Sequence, residues 1–139
     1  MQGTNMKRSI LKSAPIMAGI LFLTMALAAP LSAKPLTERQ KIQALLNEIG
    51  KAKGMVFIRN GVEHKAARAK SHLAYKYSRT KSRIRTARHF IKYLGTKSSW
   101  TGIAYKVRLK NGKTMPSAVW LNARLTEIEA RDRKKNRKK

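Results

Sequence analysis

Three histidines, a pair of adjacent serines and a dense run of cations carry whatever chemistry this sequence can do. His72 and Lys76 stand four apart, a spacing that puts both on one face of a helix. Ser98-Ser99-Trp100-Thr101-Gly102 is a polar stretch whose hydroxyls can bind a ligand or cap backbone groups. A serine nucleophile needs a base within hydrogen-bond reach, and the base needs an orienting group. His72 or His89 can be cast as that base, which gives a hydrolase reading built on Ser98, Ser99 and His72. Acids are what the reading lacks, because Glu63 is the only carboxylate between Lys51 and Lys110. Hydrolysis by a carboxylate pair requires two positioned acids and has less support still. Loop capping explains the serines more simply, and a hydrogen-bonded structural histidine explains His72 beside Leu73.

Arg59-Asn60-Gly61 sets a guanidinium beside the amides of a turn, which is a plausible anion site. Turn chemistry alone also accounts for Asn-Gly, with Arg59 in solvent. His64, His72 and His89 show no metal-ligand spacing, and there is no Gly-rich phosphate loop or dinucleotide fingerprint. No cofactor is therefore expected. The chain has no cysteine, so disulfides, thiol nucleophiles, thiolate metal sites and a lipid-modified export signal are all excluded. Ten cations fall between Lys65 and Lys92, with Tyr75 and Tyr77 among them and Tyr93 next to the last. Arg68, Arg79, Arg83, Arg85 and Arg88 are the guanidinium members, suited to phosphate contact with rings available for stacking. A solvated cationic surface is the plain alternative.

The elements that must position these groups are legible in part. Thr37-Glu38-Arg39-Gln40 has the form of a capping box, and Ile42, Leu45, Leu46 and Ile49 follow at helical spacing. Met55 to Ile58 is a short strand ahead of an Asn60-Gly61 turn. A second helix is predicted over His64 to Ser78, with Ala66, Ala69, Leu73 and Tyr77 inward. A third starts at Thr86, buries Ala87, Phe90, Ile91 and Leu94, and stops at Gly95. Ile103 to Leu109 alternates like a strand with one buried face carrying Ile103, Tyr105, Val107 and Leu109. Asn111-Gly112 is a hairpin signal, and the return strand ends at Pro116. Ser117 is expected to cap a last helix with Ala118, Leu121, Leu125 and Ile128 inward. The order predicts a small α+β domain of about four helices with a short antiparallel sheet that includes a β-hairpin.

Charge and hydropathy divide the 139 residues into three parts. Lys7, Arg8 and Lys12 precede an uncharged run from Ala14 to Ala33 that ends in small residues. That is the layout of a secretory signal, with cleavage expected after Ala33; an uncleaved anchor helix is the weaker alternative. Residues 34–130 are then the compact domain, and 131–139, with seven basic residues and no apolar one, are expected to be a disordered tail. The chain has 32 Lys and Arg against 6 Asp and Glu, a net charge of +26, and only three of those cations lie in the leader. A field this positive favours anionic partners such as envelope polymers or lipids. Nucleic acid fits the same chemistry but is disfavoured by export, and no stable membrane span is expected after cleavage.

Several blocks together resemble a known family. They are Phe57-Ile58-Arg59-Asn60-Gly61, His72-Leu73 with Lys76, Thr86-Ala87 with Phe90-Ile91, Ser98-Ser99 with Gly102 and Tyr105, then Gly112 and Trp120-Leu121. The set is similar to the YfeK-like family of small exported bacterial proteins of unknown function, over roughly Leu36 to Ile128. The resemblance implies export and one compact domain, and no activity, substrate or cofactor. Arg88 and His89 stand where that family commonly has acidic residues, so the resemblance does not itself imply the extreme basicity. With the motifs above, it makes Arg59, Asn60, His72, Lys76, Ser98, Ser99 and Tyr105 the candidate ligand-binding residues. The expected function is a non-enzymatic periplasmic or secreted protein whose cationic surface engages envelope polyanions.

Overall fold

The computed structural model describes residues 34–138. The leader assigned to residues 1–33 lies outside the described residues. Helix α1 (Glu38–Lys51) starts with the predicted box: Gln40 N–H donates to Thr37 Oγ1, and Gln40 Oε1 accepts from Thr37 N–H. Ile42, Leu45, Leu46 and Ile49 are its buried stripe. Strands β1 (Val56–Arg59) and β2 (Val62–Lys65) then form a tight hairpin. Asn60 and Gly61 turn it with φ of 51° and 77°, the paired left-handed conformation that favours these residue types.

Helix α2 (Ala66–Thr80) follows β2 without a loop. The sequence reading started this helix at His64 and did not contain β2. The strand is polar and largely exposed, so its hydrogen bonds to β1, not burial, hold it extended. Helix α3 (Ala87–Phe90) is capped by Thr86, whose Oγ1 accepts from His89 N–H at 3.0 Å. It continues as a π-helical turn, Ile91–Gly95. Gly95 is needed there, because a Cβ on it would stand 2.6 Å from Leu121 Cδ1.

Strands β3 (Lys106–Arg108) and β4 (Thr114–Pro116) complete an antiparallel sheet in the order β2-β1-β3-β4. Register puts His64, Phe57, Val107 and Met115 in one row across it. Tyr105 and Val107 are buried, but Ile103 is 53% exposed, so the expected alternation begins only at Tyr105. Helix α4 (Ser117–Arg137) buries Trp120, Leu121, Leu125 and Ile128. Ser117 does not cap it by its side chain; the residue is buried and its N–H donates to Tyr105 O.

Helix α4 also runs through residues 131–137, where composition alone predicts a disordered tail. Asp132 accepts from Leu36 N–H at 2.9 Å, and Arg131 pairs with Glu48 at 3.0 Å. Those contacts, with Lys134, Lys135 and Arg137 favourably placed at the negative helix end, extend a helix that buries nothing there. The core is one cluster drawn from α1, α2, α3, the π-helical turn, α4 and the inner face of the sheet. The fold is α+β, with four helices and a four-stranded sheet. No helix among the described residues is long and apolar enough to cross a membrane.

Candidate functional site

Strand pleat decides which groups meet at one end of the sheet. Arg59 lies two residues after Phe57, so it shares that strand's inner face but emerges at the end. Tyr105 is two residues before Val107 and does the same from the other side. Helix α2 passes beneath them with His72 one position before buried Leu73 and Lys76 one turn further on. The loop 98–102 closes the end. It is tied to the β1–β2 turn by Thr101 Oγ1 donating to Asn60 Oδ1 at 2.8 Å.

The outcome is a cleft of about 500 Å³ lined by all seven candidate residues, Arg59, Asn60, His72, Lys76, Ser98, Ser99 and Tyr105. Sequence reasoning placed Arg79 only on the general cationic surface, and it lines the cleft as well. It also missed Trp100, which lines the cleft and is 95% exposed. An unburied tryptophan cannot be told from a core one by residue type, so only its position in a polar loop offered a signal. Of the other guanidinium candidates, Arg68 lines a neighbouring cavity, and Arg83 and Arg85 are exposed between α2 and α3. Arg88 stands 3.7 Å from Glu129.

Contacts inside the cleft fix protonation states. Arg59 Nη1 lies 2.9 Å from His72 Nδ1 and 3.0 Å from Nε2. A guanidinium only donates, so the nitrogen that accepts from it must carry no proton. Burial, and then the charges of Arg59 and Lys76, hold the His72 imidazole down at about 4. Burial and the Arg59 charge also lower Lys76 from the ordinary lysine range. Lys76 Nζ donates to Leu94 O at 3.1 Å and sits 5.4 Å from the centre of the Tyr105 ring. Burial raises the Tyr105 phenol; Arg59 and a hydrogen bond with Ser98 act in the opposite sense.

Carboxylates are engaged elsewhere. Glu38 and Glu129 hold Lys41, Glu48 holds Arg131, Glu63 holds Arg108, and Glu127 holds Arg124. Asp132 is taken by Leu36 N–H. All six acids of the chain are thus committed, and none lines the cleft. The arrangement is suited to holding an anion by Arg59, Lys76 and Arg79 with hydroxyl and amide groups around it.

It is less suited to nucleophilic catalysis. Ser98 Oγ accepts from Trp100 N–H at 3.3 Å and Thr101 N–H at 3.2 Å, which is loop capping. Among the described residues no histidine is hydrogen-bonded to a serine hydroxyl, and His72 faces cations where a catalytic base would have an orienting acid. No group of three potential metal ligands occurs among the described residues.

Residues 36–129 match the family of unknown function DUF5329. The chain belongs to that family. It is also similar to the uncharacterized protein YfeK of Salmonella typhimurium, 41% identical over 68 residues. That match covers 49% of this chain and 57% of the relative, so the chain spans little more than half the length of the curated protein it resembles. No solved structure matches the chain. The family match spans every element of the cleft, from β1 through the loop 98–102 to Tyr105.

Proposed function

We propose that this family member is an exported, non-enzymatic protein that holds phosphate-bearing polyanions of the cell envelope in the Arg59–Lys76–Arg79 cleft. The observation that carries the reading is the convergence of three cations and the hydroxyl loop in a cleft with no carboxylate. Cations crowded without acids repel one another, which leaves each in need of an anion that the fold does not supply. The signal-like N-terminal layout supports placing that anion outside the cytoplasm. Nucleic acid offers the same phosphates, and export is what argues against it.

Trp100 reports on binding directly, because it lines the cleft while Trp120, the second tryptophan, is buried. Linear polyphosphate or lipopolysaccharide added to the purified protein should change Trp100 fluorescence saturably. Three phosphate contacts imply that polyphosphate affinity falls about 20–40-fold between 50 and 200 mM salt. Affinity that does not respond to salt, or no fluorescence change, would reject the cleft as the binding site. The same reading expects protein recovered from the periplasm to begin at Lys34, whereas a soluble cytoplasmic protein beginning at Met1 would remove the envelope from the proposal.

A further inference from the structure

Behind the Arg59–His72 pair lies a second cavity, of about 310 Å³, between β1, β2 and α2. Its character differs from that of the cleft. Phe57, Ile58, Ala69 and Leu73 supply apolar wall; Arg68 and His64 bring polar groups at the β2–α2 side, and Arg59, His72, Tyr105 and Lys106 also line it. His64 enters from the edge strand, directly opposite Phe57 in the β1–β2 register. Its Nε2 is shut off from solvent and has no hydrogen-bond partner. A buried ring nitrogen left without a partner costs free energy, and such groups are rare unless something outside the chain satisfies them. Arg68 is exposed, lines the cavity, and has no carboxylate partner among the described residues.

We propose that this cavity is a binding site for a small amphiphilic carboxylate. The apolar body of the ligand lies against Phe57 and Leu73. Its carboxylate is held by the Arg68 guanidinium, and the His64 ring turns on binding so that Nε2–H reaches the carboxylate as a further donor. Size supports this, since an apolar cavity of about half the volume already accepts a benzene ring. Pockets of about 300 Å³ and upward with a few convergent polar groups are the usual form of small-ligand sites. A carboxylate fits better than a phosphate for reasons of charge. It carries one negative charge where a phosphate monoester carries nearly two, so less solvation is lost beside apolar walls. It also matches the planar fork of one arginine. The cavity shares Arg59, His72, Tyr75 and Tyr105 with the polyanion cleft, and the two sites differ in the groups that hold the anion, Arg68 and His64 here and Lys76 and Arg79 there.

Decanoate and 2-naphthoate are the probes, one with a chain and one with a ring as its body. Titration into the purified protein, followed by calorimetry and by the 15N signals of the His64 ring, should show one-to-one binding of at least one of them. Decan-1-ol should bind at least about tenfold more weakly and decyltrimethylammonium not at all, because the arginine contact needs a negative charge. Ala69→Phe should fill the cavity and abolish carboxylate binding while polyphosphate binding survives. Ala69 packs against the core, so Arg68→Gln, at an exposed position, is the second variant. It should weaken carboxylate binding about tenfold and leave the alcohol unchanged. The inference is overturned if neither carboxylate binds, if alcohol and carboxylate bind alike, or if binding leaves the His64 nitrogens unmoved. Loss of polyphosphate binding in the unmodified protein would sink the cleft proposal and leave this one standing.

Discussion

Phe90→Ala should lower the stability of the domain by about 3–5 kcal/mol, the cost of removing a large ring from a site that cannot close over the void. Phe90 is fully buried at the junction of α3 and the π-helical turn. Its ring meets Tyr77 of α2 edge-on at 5.8 Å, so it joins two helices rather than lining one. The chain has no cysteine, and so no cross-link limits the unfolded state. Domains of this size have about 5–15 kcal/mol of stability in total, so the substitution removes a large share of it. The expected fall in Tm is about 12 °C or more, read by circular dichroism with urea denaturation as the second measurement. A loss under about 1 kcal/mol would mean that the two helices collapse onto each other and that the interior is more plastic than its packing indicates.

That core was largely legible because its signals are local. The capping box at Thr37, the stripe Ile42, Leu45, Leu46 and Ile49, and the stop at Gly95 each depend on residues within a turn or two of one another. The hairpin at Asn111-Gly112 is of the same kind, with Gly112 at a φ of 84° that a side chain rarely adopts. What escaped was set by contacts distant in sequence. Strand β2 has no apolar face to announce it and exists because β1 is beside it. The contact that leaves no room for a side chain at Gly95 comes from Leu121, 26 residues further on. Residues 131–137 gain their order from Glu48 and from Leu36 N–H, on the far side of the fold.

The candidate site divides along the same line. Residue types and family-like blocks gave seven of the residues that line the cleft, but not Trp100. They could not give the partner of each. His72 next to Leu73 reads as a structural histidine, and only the fold shows that its partner is Arg59, thirteen positions away. The apolar cavity was invisible in the sequence, since the β1–β2 register brings His64 opposite Phe57 and the sequence reading had put His64 in a helix.

Arg59→Glu should all but abolish polyphosphate binding in the cleft, whereas Arg83→Glu, with the same change in net charge at an exposed position outside it, should reduce binding only slightly. Removing a charge-assisted contact costs about 1.5–3 kcal/mol, or roughly 10–150-fold in affinity, and a carboxylate in its place adds repulsion. Equal losses in the two variants would show that affinity comes from diffuse charge and would dismiss the cleft. Arg59→Ala provides an independent readout through His72. Its imidazole is held at about 4 by burial first and then by Arg59 and Lys76, so without the guanidinium its midpoint should rise toward the ordinary histidine value. The effect on stability has a definite sign. Because the folded-state value is depressed, the unfolded chain binds the proton first as pH drops below about 6.5, and His72 makes folding less favourable from there down to about 4. Arg59→Ala should narrow that window from its acid side, flattening the loss of stability between pH 6 and 4 even as polyphosphate binding falls. An NMR titration of the His72 ring in the two proteins measures the shift, and an unchanged midpoint would remove Arg59 from the account of the site.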